Sequence, residues 1–530
     1  MTFARPERIS GPAALCGLTY VGLFLALASV LRNHFGFPLD DSWIHQVIAR
    51  NLVEYHKLGF LPDKATSGTT SPLWSGVLAL GLMLLPKVSP VLLCASMGAL
   101  LLGGIGYCLK KLSEEDGLPS IESWCIAAAP ALSGNFLWFG LIGMEHLLFI
   151  LLSVLLIMTW ARTPAGRGRG DQVMLLMISL LIVPTRPEGI VLVFLLLPAL
   201  RLFRRTLKDY CFVAAGGLAG GFASVWISWM TSGRLKPATM AGRQLLAYGR
   251  LGYLAQCGYQ LLKSWNYMEL GSLTRRYGPT AAALPLFIVA LILALGIRRL
   301  FVLRAYRFLF LCGWGGTIGV LYLLELPTPG HGGRYIAVLL MACYSCLLLG
   351  ISRIVSVFGG QRVLYRTGLA FAALVWVGIS IPIWRVAAAA DIDQINSEHG
   401  EMGRWAMANL PPESFLSPKV AIFDIGEIGY EVRGDLVDLG GLVDAGFISH
   451  IVQHTTGTYL KQRGVNYVIL AGATGGDATS LANRLSLTPQ YGVNLTFLHG
   501  VCADPMTAHI GLLTSYTAYP CQNVYRVAYQ

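Results

Sequence analysis

The sequence predicts a polytopic α-helical membrane protein with a C-terminal, water-soluble α/β domain on its outer side. Three observations carry this. The 530 residues are 55% hydrophobic and only 13% charged, against about 25% charged in an ordinary soluble protein. The charge is missing in blocks, apolar stretches near the ~20 residues that cross ~30 Å of hydrocarbon. The formal net charge of +12 is also divided: residues 1–390 hold 33 Lys+Arg against 15 Asp+Glu, and residues 391–530 hold 7 against 13. This composition excludes a disordered chain, a collagen-like chain and a small disulfide scaffold. A basic balance in such a chain reflects Lys and Arg kept in cytoplasmic loops, so no nucleic-acid partner is expected.

The first apolar block, about Gly11 to Leu31, follows Arg5 and Arg8. No small-residue cleavage site succeeds it, so it is expected to be the first span, entered from the cytoplasm, rather than a signal peptide. Further blocks lie at about 89–109, 121–139, 145–161, 171–185, 188–201, 210–231, 279–297, 306–326, 334–352 and 367–386. Short basic loops recur after every second block: Lys110-Lys111, Arg162/Arg167/Arg169, Arg201/Arg204/Arg205/Lys208, Arg298/Arg299/Arg304/Arg307 and Arg353/Arg362/Arg366. By the positive-inside rule these loops are cytoplasmic.

One block breaks this alternation. If 72–86 crossed, every later basic loop would be inverted. At 15 residues between two prolines it is better read as an interfacial or re-entrant helix. Residues 32–88 are then one long outer loop, 232–278 is a second outer segment, and about eleven spans place the C-terminus outside. The expected domains are a transmembrane part, 1–390, and an exterior part, 391–530.

The exterior part reads as α/β. Lys419–Asp424, Val465–Ala471 and Asn523–Tyr529 are runs of strand length bounded by Gly, Pro or charge. Of the 11 cysteines only Cys502 and Cys521 lie there; in an oxidising compartment they are candidates to pair.

The strongest chemical signal is Asp40-Asp41, directly after the first span. Ile44, Val47, Ile48, Asn51, Leu52 and Tyr55 follow on one helical stripe, an amphipathic helix for the outer membrane surface. One carboxylate at such a start is explained by capping and the helix dipole. Two adjacent carboxylates raise one another's pKa, which suits a general base or a cation site; spacing alone leaves capping and function equally open. Thr69-Thr70-Ser71-Pro72-Leu73-Trp74 reads as a helix start, with Ser71 as cap and Pro72 at the first position. It also brings hydroxyls and an indole to the same side.

Taken with Gly143-Met144-Glu145, Arg186-Pro187-Glu188-Gly189 and the run from Asp438 to Asp444, these motifs resemble the GT-C class of membrane glycosyltransferases, which use polyprenyl-phosphate sugars. The pattern, covering roughly residues 11–450, is closest to bacterial polyprenyl-phosphate arabinofuranosyltransferases. It is more distantly similar to lipid A aminoarabinose transferases and protein O-mannosyltransferases.

The resemblance implies an inverting transfer on the outer face of the bacterial cytoplasmic (inner) membrane, from a polyprenyl-phosphate sugar to a glycan, lipid or protein acceptor. In the class a first-loop Asp deprotonates the acceptor. Carried here, the base is Asp40 or Asp41; Asp41 is favoured, with Asp40 orienting the acceptor or binding a cation. No cofactor is required; Asp40 and Asp41 are the only candidate ligands for a divalent cation, and no zinc-type spacing exists.

The leaving phosphate needs positive charge. Arg186 and Arg334 sit in short outer turns, where an isolated Arg is costly and a phosphate or carboxylate partner is expected. Lys236 and Arg243 are the basic residues of 232–278 chosen as lying near the preceding span, although a solvated loop explains most of that segment's charge. His331, in a Gly-rich turn, is a further candidate to bond phosphate. Glu145, Ser71 and Trp74 are expected to touch substrate, with a structural bridge from Glu145 or Glu188 to either arginine as the other reading. A transporter or flippase of a lipid-linked sugar is the alternative function, but its marks, inverted repeats and midplane charges, are not evident.

Overall fold

The computed structural model describes residues 10–62, 66, 69–163, 167–235, 271–325, 330–358, 362–415, 419–444, 446–504 and 519–530. Helix α1 (Gly11–Ala28) starts at Ser10, whose hydroxyl accepts the Ala13 N–H, with Pro12 in the first turn, the residue types that favour a helix start. Then come α2 (Asp40–Glu54), α3 (Pro72–Leu84), α4 (Pro90–Glu115), α5 (Ser120–Ala128), α6 (Gly134–Trp138), α7 (His146–Trp160), α8 (Arg169–Thr185), α9 (Gly189–Leu195), α10 (Leu207–Ser232), α11 (Gly271–Leu303), α12 (Tyr306–Glu325), α13 (Ala337–Phe358) and α14 (Arg362–Ile395).

Among the described residues, six helical stretches are long and apolar enough to cross a membrane: Gly11–Arg32, Pro90–Glu115, Leu207–Ser232, Tyr306–Leu324, His331–Ser356 and Thr367–Asn409. Two of the blocks expected as spans are broken. Block 121–139 is divided into α5, a 3-10 turn Ala129–Leu132 and the five-residue α6, because Pro130 supplies no N–H to continue the ladder. Block 188–201 holds the seven-residue α9 and a turn begun by Pro198. Helix α3 has Ser71 at its N-cap and 13 residues, about 20 Å of helix, short of a bilayer core.

Close helix contacts rest on small residues. Gly216 and Gly220, one turn apart on α10, face the carbonyls of Leu176 and Leu180 on α8, and a Cβ at either would stand 2.2 and 2.4 Å from those oxygens. Any side chain there would separate the pair, as in small-residue packing of membrane helices. The interior is filled by Tyr20, Phe24, Phe136, Trp138, Trp160 and Trp314. Leu18, Leu100, Phe222, Phe371 and Leu374 point outward and are exposed, the apolar surface expected of helices that meet lipid.

Helix α14 runs through residue 390 without interruption. The Ala387–Ala390 run favours helix, and no Gly or Pro occurs between Ile383 and His399. A π-helical turn, Asn396–Gly400, and α15 (Glu401–Asn409) continue it, so a stiff helical rod joins the apolar bundle to the α/β domain. That domain contains β1 (Val420–Ile422), α16 (Gly426–Val432), β2 (Val437–Asp438), α17 (Phe447–Val452), α18 (Thr456–Gln462), β3 (Tyr467–Gly472), α19 (Thr479–Arg484), β4 (Val493–Cys502) and β5 (Cys521–Tyr529). The sheet order is β2-β1-β3-β5-β4. The first three strands are parallel, and β5 pairs antiparallel with β3 and β4. The three expected strands are β1, β3 and β5; β2 and β4 were not anticipated.

Cys502 and Cys521, register partners at the ends of β4 and β5, form a disulfide across a sequence separation of 19. A loop of that size contributes about 3 kcal/mol through chain entropy. Cys521→Ser should therefore lower the unfolding free energy of the α/β domain by roughly that amount, read by chemical denaturation; an unmoved midpoint would contradict it.

The domain's core includes residues from the first outer loop. Ile44, Val47 and Ile48 of α2, with Phe60 and Leu61, pack among Ile422, Ile425, Ile428 and Ile469. This shared core positions the site.

Candidate active site

Helix α2 begins at Asp40, with Leu39 extended before it. Consecutive helical residues point about 100° apart, so the two carboxylates enter different surroundings. Asp40 is buried. Its Oδ1 lies 2.8 Å from His399 Nδ1 and accepts the Glu427 N–H at 2.8 Å, and its Oδ2 accepts the Gly426 N–H at 2.9 Å. Asp41 keeps about a third of its side chain exposed, 32% against 8% for Asp40, and it accepts a charge-assisted hydrogen bond from Nη2 of Arg334.

Arg334 lies in the turn His331–Ile336, where Gly332 and Gly333 have φ of 63° and 78°. That left-handed pair, open to glycine without strain, reverses the chain just before α13 and carries Arg334 back over α2. The guanidinium is almost wholly buried; Nη1 faces the Met144 sulfur at 3.0 Å and Nη2 donates to the Tyr335 hydroxyl at 3.2 Å. Its Nε is buried with no hydrogen-bond partner among the described residues. His331, at the head of the same turn, is half-buried.

Beside this pair lies a second ionic group. Arg186 donates from Nη1 to Glu145 Oε1 at 2.7 Å and to His146 Nε2 at 2.8 Å, and from Nη2 to Glu188 Oε1 at 3.1 Å. The Tyr322 hydroxyl accepts from Arg186 and donates to Glu188. Tyr322 and Tyr335 stack at 5.1 Å between centroids, and both arginines approach the Tyr335 ring, Arg334 at 5.0 Å and Arg186 at 5.8 Å. Glu145 returns to α2 through Oε2, 3.6 Å from His45 Nε2. Trp74 donates its indole N–H to the Gly143 carbonyl at 2.9 Å, and Ser42 its hydroxyl to the Ile142 carbonyl. These bonds hold the turn that carries Glu145 against α2 and α3.

Of the residues picked from sequence, the fold thus joins Asp41 to Arg334 and Glu145 to Arg186, with Trp74 beneath. Arg186 and Arg334 both have carboxylate partners, and the bridge reading of Glu145 and Glu188 describes their contacts with Arg186. Ser71 is buried, its N–H bonded to Thr69 Oγ1 and its own hydroxyl without a partner among the described residues. Lys236 and Arg243 lie outside the described residues. Asp438 organises its own turn, accepting N–H bonds from Gly440 and Val443, each at 2.7 Å. Among the described residues no three His, Cys, Asp or Glu side chains are grouped to hold a metal ion. Sequence reasoning missed His45, Tyr322, Tyr335 and His399; His45 had a signal, lying one helical turn after Asp41.

Around Asp40 the α/β domain gathers more acid. Gln522 donates to Asp424 at 2.9 Å and Glu398 at 3.2 Å, and Glu398 stands 3.6 Å from His399 Nε2. Burial pushes Asp424 up to about 6, with His399 pulling it down and Asp40 adding to the rise. Glu427 is pushed up to about 8, again by burial first, with His399 and Arg404 opposing and Asp40 and Glu431 adding to it. Folded Glu427 therefore keeps a proton that the unfolded chain releases near 4.5, so this group makes stability fall as pH rises from about 4.5 to about 8. Glu427→Gln should flatten that decline, seen as a smaller loss of melting temperature between pH 5 and 8; parallel curves for the two proteins would refute it.

Comparison with known proteins bears on the fold. Residues 390–520 match a family described as "Domain of unknown function (DUF8728)". No curated protein matches the chain by sequence. Among solved structures, the chain is similar to ArnT from Cupriavidus metallidurans bound to undecaprenyl phosphate, at 12% identity over 96% of this chain and 97% of that one, with a TM-score of 0.53. It is also similar to the Archaeoglobus fulgidus oligosaccharyltransferase tethered with an acceptor peptide containing the NVT sequon, at 10% identity, 94% of this chain and 75% of that one, and a TM-score of 0.51. At these identities the likeness is one of fold, and it extends over nearly the whole chain.

Proposed function

We propose that the chain is an inverting glycosyltransferase that moves a sugar from a polyprenyl-phosphate donor to a hydroxyl of a cell-envelope glycan, lipid or protein. The observation that carries this is Arg334, a buried guanidinium with an unspent Nε beside the partly exposed carboxylate of Asp41. A buried donor without a partner calls for one, and a phosphate oxygen is a geometric and electrostatic match for a guanidinium. Asp41 takes the acceptor hydroxyl proton, the freed oxygen forms a bond to the anomeric carbon, and the bond from that carbon to the phosphate oxygen breaks. The electron pair and negative charge leave with the polyprenyl phosphate, beside Arg334. Arg186 is consumed by Glu145 and Glu188, so it fixes the placement of Tyr322 and Tyr335 rather than offering a free fork.

The likeness in fold to ArnT bound to undecaprenyl phosphate supports a lipid-phosphate donor. The sugar we favour is arabinofuranose. The six long helices, with α7, α8, α11 and the broken runs around α5–α6 and α9, make up an eleven-span arrangement with the N-terminus in the cytoplasm. Asp41 and the α/β domain then face outward from a bacterial inner membrane. Purified protein given a panel of polyprenyl-phosphate sugars, arabinofuranose and mannose first, should release polyprenyl phosphate and form a glycoside of inverted anomeric configuration with one of them. Movement of the intact lipid-linked sugar across vesicles, with no glycoside formed, would replace this reading with a flippase.

A further inference from the structure

In a parallel α/β sheet the crevice outside the carboxyl ends of the strands, where the chain order reverses, is the usual seat of a ligand. Here the order β2-β1-β3 puts that point at the end of β1, where Asp424, Gly426 and Glu427 lie. The group seated there belongs to the chain itself. Asp40 accepts the N–H bonds of Gly426 and Glu427 and faces His399. Gly426 is shaped for it, since a Cβ at that position would stand 2.1 Å from the Asp40 carbonyl oxygen and 2.4 Å from its Cγ. Further along α2, Arg50 donates to the Tyr430 carbonyl at 2.8 Å and lies 4.8 Å from its ring, and Trp43 packs on the same ring at 4.6 Å. At the other side of the loop, Asn396 donates to the Phe35 carbonyl at 3.0 Å, and His34 meets Asp393 at 2.8 Å.

We propose that the α/β domain is a clamp on the first outer loop, with Asp40 as its latch and His399 and Gly426 as positioning residues that fix Asp41 against Arg334. This rests on Asp41 being the base of the proposed transfer, and it gives the second carboxylate of the Asp40-Asp41 pair a task other than touching substrate. A base one residue from the latch is aimed by it, and small misplacements of a reacting group are costly.

The test compares wild type with His399→Ala, His399→Gln and Gly426→Ala in the full-length protein, each first checked for an intact Cys502–Cys521 disulfide by mobility on non-reducing gels. Amide hydrogen exchange over residues 40–54 should rise in His399→Ala and Gly426→Ala. In the transfer assay both should lose kcat by roughly ten- to a hundred-fold, with the donor KM unchanged. His399→Gln, which keeps a donor toward Asp40, should recover part of the loss. Unchanged exchange overturns the clamp, and raised exchange with unchanged kcat overturns the positioning role. If wild type transfers no sugar from any donor, the transferase reading fails, and exchange alone decides the clamp.

Discussion

Asp41→Asn abolishes transfer, with kcat reduced by at least ~10²-fold, the scale of a lost general base, while the protein still inserts and folds. The isosteric amide keeps the shape of the side chain at the mouth of the site but cannot take a proton. It also leaves Arg334 without its counter-charge, so donor binding is retained or tightened as kcat falls. Asp40→Asn acts differently. Its carboxylate is held by His399 and two backbone N–H groups, so the substitution loosens α2 and lowers kcat less than Asp41→Asn does. Steady-state kinetics in detergent or nanodiscs separates the two, and near-normal activity in Asp41→Asn would remove the assigned base.

The second large effect belongs to Arg334→Ala. Its guanidinium is 3% exposed, and removing one partner of a buried charge pair costs about 3–5 kcal/mol. Part of that appears as lost interaction with the donor phosphate, raising the donor KM and lowering kcat, with the acceptor KM little changed. Arg334 holds Asp41; on the proposed mechanism a donor phosphate would compete for the same cation and free the carboxylate to act as base. Donor should therefore bind first, and the ordered kinetics should be lost in the variant. An unchanged donor KM in Arg334→Ala would count against the phosphate contact.

Much of this site was legible because its signals are local. Asp41 follows a span, Arg334 and Arg186 stand where an isolated charge is costly, and Gly332 and Gly333 mark the turn that aims Arg334. His45 was readable too, one helical turn from Asp41. Asp40 and Asp41 were indistinguishable in sequence because their difference is set by where the α/β domain docks, more than 350 residues away along the chain. His399 had no local signal: it sits in a π turn that continues a long helix. In the fold, β2 is only two residues, and the pairing of β4 shifts register between Phe497 and His499, so neither shows a clean alternation. The spans at 121–139 and 188–201 read as continuous from apolar composition alone, although Pro130 and Pro198 divide them.

A crystal structure of the protein with bound polyprenyl phosphate decides whether Arg334 receives the donor. Phosphate density is expected within hydrogen-bond reach of Arg334, with Nε among its donors, and Asp41 released from Nη2. Phosphate bound away from the Asp41–Arg334 pair, with that ion pair intact, would contradict it.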